Sequence, residues 1–321
     1  METVLVTGGA GFIGHHVVRA LLAQGYSVRV VDDISTGLTT NLPERHAQLT
    51  LIKADVADAG AVNAAMAGVT HVVHLAALAS VPRSVEEPAL TYRTNVQGWE
   101  NVLAAARAEK VPGWLVYASS AAVYGPLEKT APTEEADANG AMLQSPYAAS
   151  KRINEIQAQV AHTVYGQNTV GLRFFNVYGP GQRADSAYAG VLAKVVDSVQ
   201  TGSLLTIYGD GLQTRDFVAV ADVVNVIRQL LARPVAHAAQ MPRVMNLGSG
   251  VATTLLDTIR QVVAITRVNP RVEYRPARGA DLRFSCADVS ALRQVLPRWQ
   301  PMPLAQGLRG WLVSGSALPN S

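Results

Sequence analysis

Thr7-Gly8-Gly9-Ala10-Gly11-Phe12-Ile13-Gly14 follows a short β-branched run over residues 4–7 and opens a segment, 14–24, with apolar residues on one face. Gly8, Gly11 and Gly14 are three apart at a strand-to-helix junction. The first permits a tight turn and the second lets the backbone approach a pyrophosphate. The third lets helix and strand pack closely, with the phosphates at the helix N-terminus. Asp32 closes the next strand-like run, 28–32. A carboxylate there accepts hydrogen bonds from adenosine ribose hydroxyls and repels a 2′-phosphate, which points to NAD rather than NADP. Arg29, earlier on that run, reads as a surface residue, and His15 and His16 as surface or packing residues. Asp55 follows a third run, 49–53, and suits either the adenine amino group or the cap of a helix over 57–67.

Outward from this opening, strand-like runs at 71–76, 114–118 and 170–175 alternate with helical patterns, one of them over 96–110. Parallel strands need crossover helices, so the expected class is α/β, a doubly wound parallel sheet. After Asn176, prolines and glycines break the pattern, with helices expected over 187–200, 221–232 and 255–266. The division is placed at 1–177 for the dinucleotide-binding half and 178–321 for a smaller α/β substrate half, some of which packs back on the first.

Of 321 residues, 49% are hydrophobic and 16% charged, which argues against disorder. The formal charge of +3 is spread without a Lys/Arg run, and no nucleic-acid motif appears. Cys286 is the only cysteine, which excludes intramolecular disulfides and a cysteine-based metal cage, and no metal is expected. No signal peptide or membrane span is expected, so a cytoplasmic location is the default.

Tyr147 and Lys151 are four apart in Pro146-Tyr-Ala-Ala-Ser-Lys151, on one face of an expected helix. A nearby ammonium favours a phenolate, and a phenol so tuned can take a proton from a sugar hydroxyl near neutral pH. Ser119 and Ser120 end an intervening strand at the sheet's carboxyl edge, where open α/β folds bind ligands. Ser120 can hydrogen-bond the reacting hydroxyl.

Together these stretches resemble the extended short-chain dehydrogenase/reductase family, most closely its nucleotide-sugar epimerases. The resemblance runs from Val4 to about Trp311. Beyond the glycine turn and Tyr-x-x-x-Lys it rests on His74-Leu-Ala-Ala77, Ser119-Ser-Ala-Ala-Val-Tyr-Gly125, Leu172-Arg-Phe-Phe-Asn-Val-Tyr-Gly-Pro180 and Tyr208-Gly-Asp-Gly-x-x-Thr-Arg-Asp-Phe217. It implies a Rossmann-type domain with a C-terminal substrate domain and NAD bound through turnover. It also implies a homodimer that pairs the helix near 98–109 with the one bearing Tyr147. By position it assigns Ser120, Tyr147 and Lys151 to catalysis. To NAD it assigns Gly8, Gly11, Phe12, Ile13, Gly14, Asp32, Asp33, Ser35, Thr36, Gly37, Asp55, Val56, Leu75, Ala76, Ala77, Asn95, Tyr147, Lys151 and Phe174. Ser80, Arg83, Ser119, Ser120, Asn176, Arg215, Arg278, Asp281 and Ser285 fall to a UDP-sugar.

The family's dehydratases place Asp-Glu directly after this serine position, whereas Ala121 and Ala122 stand here and can transfer no proton. That favours 4-epimerisation over dehydration or decarboxylation. A small residue at Ser285, the family's gate beside C2 of the hexose, leaves room for an N-acetyl group. The favoured substrate is therefore UDP-GlcNAc/UDP-GalNAc, with UDP-Glc/UDP-Gal also possible. Arg83 could instead read a C6 carboxylate, so UDP-glucuronate stays open, as do a reductase and a non-catalytic NAD-binding sensor. Two departures stand out: Ala219 replaces a common aromatic, and Ala118 a common serine.

Overall fold

In the computed structural model, residues 2–126, 131–184, 190–277 and 282–315 are described. The first half runs β1 (Thr3–Thr7), α1 (Phe12–Ala23), β2 (Ser27–Asp32), β3 (Leu49–Lys53), α2 (Ala59–Met66) and β4 (His71–His74). Next come α3 (Val81–Glu86), α4 (Pro88–Tyr92), α5 (Gly98–Ala108), β5 (Leu115–Ser120), α6 (Pro146–Tyr165) and β6 (Thr169–Phe174). The second half holds β7 (Asn176–Tyr178), α7 (Val191–Thr201), β8 (Leu204–Tyr208), β9 (Thr214–Ala219), α8 (Val220–Leu231) and β10 (Val244–Leu247). After these come β11 (Ala252–Thr254), α9 (Leu255–Thr266), β12 (Arg271–Arg275), α10 (Ser290–Val295) and α11 (Leu304–Gly315).

Seven parallel strands form one sheet in the order β10-β6-β5-β4-β1-β2-β3. Val4 and Val6 of β1 bury on one face and Leu5 on the other, because successive side chains of a strand point oppositely. A strand apolar on both sides needs cover on both, and α1 and α8 supply one layer while α2, α5 and α6 supply the other. The doubly wound α/β fold is as expected. The expected strand 71–76 stops at His74, and Leu75 and Ala76 belong instead to the loop that borders the cleft described below.

Strand order reverses between β1 and β4, so the loops after these two strands diverge and leave a crevice at their carboxyl ends. Two segments of the second half join the first. β10 pairs with β6 as the sheet's edge strand, and α8 packs on α1. The remainder builds its own core around Tyr178, Leu192, Val195, Ile207, Phe217 and Trp311. There β9 lies between β11 and β7, and β8 pairs with β12. Among the described residues no helix is long and apolar enough to cross a membrane, and no cluster of His, Cys, Asp or Glu could hold a metal.

Candidate active site

The glycine turn fits a dinucleotide for reasons of space. Gly8 has φ +69°, and a Cβ on it would meet the Ala76 amide nitrogen at 2.6 Å. A Cβ on Gly14 would sit 2.0 Å from the Gly8 carbonyl oxygen. Only glycine lets α1 begin this close under β1, with its free N–H groups directed at the crevice. Gly11 is the N-cap and no side chain bonds there, so those donors remain for a ligand.

The crevice is a cleft of about 550 Å³. It is lined by Gly8, Gly11, Phe12, Asp32, Asp33, Ser35, Thr36, Asp55, Val56, Leu75, Ala76 and Ala77, all expected NAD contacts. Asp32 is buried, and its two oxygens accept from the amides of Ala10 and Ile34 at 2.8 Å each. Burial pushes its carboxyl up from the usual value against those two bonds. Asp55 accepts from the Ala57 amide at 2.8 Å and pairs with Arg93 at 2.8 Å, while Asp58 caps α2, so Asp55 is not the helix cap. Arg29 is no idle surface residue either, since its Nη1 donates to the carbonyls of Ala65 and Ala67.

Five expected NAD residues work from behind the cleft. Gly37 lies against Ala10, where a Cβ would come within 2.8 Å of backbone. Ile13 and Phe174 pack on the core, and Gly14 is buried. Asn95 is fully buried in a π-helical turn, Arg93–Gln97. Its Oδ1 accepts from the Leu78 amide at 2.7 Å and its Nδ2 donates to Ser150 Oγ at 2.9 Å. It thus ties the loop after β4 to α6, a supporting task of the kind π-turns often serve.

The Ser145 side chain caps α6 by accepting from the Ala148 amide, and Pro146 sets its first turn, which fixes where Tyr147 and Lys151 stand. Ser120 ends β5, accepts from the Ala122 amide at 3.2 Å and stands near enough to the Tyr147 phenol to favour its ionised form. Lys151 is buried and donates from Nζ to the Ala118 carbonyl at 2.9 Å. Burial pushes the phenol up from its ordinary value and Ser120 opposes this. Burial also pulls Lys151 down to about 8. In the protein alone, desolvation therefore outweighs the expected help of the ammonium to the phenolate.

Ser119 departs from expectation. Neighbours in a strand face opposite sides, so as Ser120 meets the phenol Ser119 turns the other way. It is buried and donates to Glu155 Oε1 at 2.6 Å, which removes it from the sugar-binding group.

A second cavity, about 520 Å³, opens in the C-terminal half and contains Asn176 and Arg215. Arg215 Nη1 donates to the carbonyls of Thr214 and Leu282, and Asn176 Nδ2 to that of Asp216. Ser285 is half-buried, its amide directed at Thr214 Oγ1. Arg278 and Asp281 lie outside the described residues. Ser80 and Arg83 line the first cleft, where Ser80 caps α3 and Arg83 pairs with Glu87 at 3.1 Å. The segment after β7 serves both cavities, Gly181 and Gln182 lining the first and Ala184 and Val191 the second. Sequence reasoning assigned no role to Tyr208, Gln213 and Lys194, which line the second cavity. Tyr208 sits in the quoted Tyr-Gly-Asp-Gly stretch, so a signal for it existed.

The glycine turn and the buried Asp32 carboxylate lie at the same carboxyl edge of the sheet as the half-buried Tyr147 and Ser120 and the buried Lys151, residue types suited to moving a proton on a hydroxyl next to a nicotinamide. Comparison with known proteins agrees. The model of the NAD dependent epimerase/dehydratase family matches residues 4–248. A UDP-glucose 4-epimerase of Mycolicibacterium smegmatis is 35% identical over 95% of each chain. The structure of a UDP-N-acetylglucosamine 4-epimerase from Methanobrevibacter ruminantium M1, in complex with UDP-N-acetylmuramic acid, superposes with TM-score 0.88. It is 32% identical and 98% of each chain is covered. A Thermus thermophilus UDP-glucose 4-epimerase complex with NAD gives TM-score 0.87 at 34% identity, over 98% of this chain and 99% of that one.

Proposed function

The chain belongs to the NAD dependent epimerase/dehydratase family, and from that premise we propose that it inverts C4 of a UDP-sugar, UDP-GlcNAc/UDP-GalNAc being favoured. Its cofactor is NAD, and the glycine cradle, the free α1 N-terminus and Asp32 fit that group. When bound, NAD supplies the acceptor and then the donor of the hydride exchanged at C4. Tyr147 takes the proton from the C4 hydroxyl and later returns it, with Ser120 bonded to both oxygens. Lys151 holds the cofactor ribose and keeps positive charge beside the phenol. Asn176 and Arg215 grip the nucleotide, a fixed handle about which the keto sugar turns to present its other face.

The observation that carries this reading is the pair Ala121 and Ala122, which follow Ser120 in a 3₁₀ turn packed on α6. Neither can act as acid or base, so water elimination and decarboxylation lack a proton carrier there. The half-buried Ser285 supports an N-acetyl sugar. Arg83, the argument for a uronate, lines the first cleft and pairs with Glu87 at its partly exposed edge. Incubating the NAD-loaded protein separately with UDP-GlcNAc, UDP-Glc and UDP-glucuronate, with NMR of each mixture, tests the proposal. It expects a C4 epimer of equal mass, fastest from UDP-GlcNAc; a dehydrated or decarboxylated product would overturn it.

We also propose the division into an NAD half, 1–177, and a nucleotide-sugar half, 178–321, and a homodimer formed through α5 and α6. Supporting the dimer, Ile156, Val160 and Val164 lie along one face of α6 and are 50%, 46% and 65% exposed. Val160→Glu should convert a dimer to a monomer in light scattering. A wild-type protein that is already monomeric at micromolar concentration rejects the pairing.

A further inference from the structure

The last three residues of β5 each face a different turn of α6, two of them through hydrogen bonds. The Ala118 carbonyl accepts from Lys151 Nζ at 2.9 Å, Ser119 Oγ donates to Glu155 at 2.6 Å, and Ser120 meets Tyr147. On the helix these partners are residues 147, 151 and 155, spaced one turn apart along a single face.

Glu155 is itself clamped. Arg173 on β6 donates to it from Nε at 2.8 Å and Nη2 at 2.9 Å, and Arg152 from Nη1 at 2.7 Å. The Glu155 and Arg173 side chains are each 3% exposed. Arg173 is fixed in turn by the Glu135 carbonyl at 2.7 Å and the Tyr124 hydroxyl at 3.0 Å. A buried ion pair is seldom the most stabilising filling for such a space, since apolar residues often serve as well. What it offers here is an immobile, ionised acceptor behind the strand, and bonds to such acceptors are short and strong.

We propose that Glu155 is a positioning residue for the reaction, holding Ser119 from behind so that Ser120 stays aimed at the Tyr147 phenol. The proposal rests on Tyr147 being the base. Around Glu155 the charged and titratable groups are Arg152, Arg173 and Tyr117, with Tyr124 and Glu135 beyond Arg173. Beside Tyr147 stands Lys151, and beyond it His74. Ser119→Ala removes none of these groups, and of the charged ones only Glu155 loses a partner. It removes one hydroxyl and leaves the Glu155–Arg173 pair in place.

The test compares wild type, Ser119→Ala and Ser119→Thr, all loaded with NAD. Tyrosine labelled with carbon-13 at Cζ, with the Tyr147 signal assigned through Tyr147→Phe, reports the phenol's titration without any turnover. The pH profile of kcat on the UDP-sugar that is turned over is measured alongside. Ser120 favours the phenolate, so loosening it should move the Tyr147 titration and the acidic limb of kcat to higher pH in Ser119→Ala. At neutral pH kcat should fall about tenfold, with KM and NAD content unchanged, as expected for a small misplacement. Ser119→Thr should restore all three. An unmoved titration in Ser119→Ala overturns the proposal, even if its Tm falls, because a purely structural tie would do only that. If wild type epimerises no UDP-sugar, the proposed function fails and the titration alone decides the tie. Glu155→Gln should give the same shift where it folds, and Ser119→Ala decides where it does not.

Discussion

Lys151 Nζ lies 6.0 Å from the centroid of the Tyr147 ring, yet its hydrogen bond goes to the Ala118 carbonyl. A nearby ammonium favours a phenolate. Burial of the phenol works against it. Burial wins, and the Tyr147 phenol of the protein alone is neutral near neutral pH.

Removing that oxygen should stop the chemistry and spare cofactor binding. Tyr147→Phe is expected to lose about 10³-fold or more in kcat, within the span of general-base catalysis and the lost proton relay. Its NAD content, released by heat and read by absorbance, should match wild type. Turnover near the wild-type rate would rule out the assigned base.

The buried lysine makes a second, opposite-signed prediction about stability. Its pKa falls from 10.5 to about 8 on folding. Below pH 8 both states are protonated and burying the charge costs about 3 kcal/mol. Between pH 8 and 10.5 the unfolded chain keeps a proton that the folded one has lost, so this group's contribution to stability rises with pH. In cofactor-free protein the Tm advantage of Lys151→Met over wild type should thus be largest at pH 7 and shrink by pH 10. A constant difference across that range would contradict the buried charge.

Gly14→Ala should be poorly tolerated because its methyl would overlap the Gly8 carbonyl. Overpacking of this kind costs about 1–3 kcal/mol or more and would also distort the phosphate cradle. Gly310 of α11 has no such neighbour, and Gly310→Ala should gain up to about 1 kcal/mol of helix propensity. Thermal melts of the two variants should move in opposite directions, with NAD lost only from the first.

Breaking the buried ion pair should be expensive. Arg173→Met leaves Glu155 without its main partner inside the fold, and about 3–5 kcal/mol of stability should go with it. Burial works against the charge on Glu155, and Arg173, Ser119 and Arg152 together hold its carboxyl below the ordinary value. Denaturant unfolding with an unchanged midpoint would show the pair to be dispensable.

Ser285→Tyr should narrow the space offered to the hexose C2 substituent. The expected outcome is a loss of about tenfold or more in kcat/KM for UDP-GlcNAc, in line with a steric penalty of a few kcal/mol, and little loss for UDP-Glc. Equal losses on both sugars would place Ser285 away from C2.

What could be read from the chain depends on how local each signal is. The Gly8–Gly14 spacing, Asp32 at a strand end and the Tyr147–Lys151 interval each depend on a few consecutive residues, and the structure brings all of them to the sheet's carboxyl edge. Asn95 was found as a name but not as a task, because its partners Leu78 and Ser150 are 17 and 55 residues away. Ser119 was legible and misread, since strand alternation alone puts it opposite Ser120. β10 was hidden for a different reason. The few residues between Pro242 and Gly248 look like a loop, and only pairing with β6 makes them a strand.

That short strand has a consequence for how the two halves can be exchanged. β6 would be left with a bare hydrogen-bonding edge carrying Val170 and Leu172 if the chain ended at residue 177, and such edges invite self-association. A chimera that borrows the substrate half of a relative therefore brings a foreign 244–247, which must match β6. Cofactor and sugar recognition can be altered at their own residues, but the seam between β6 and β10 has to be kept intact.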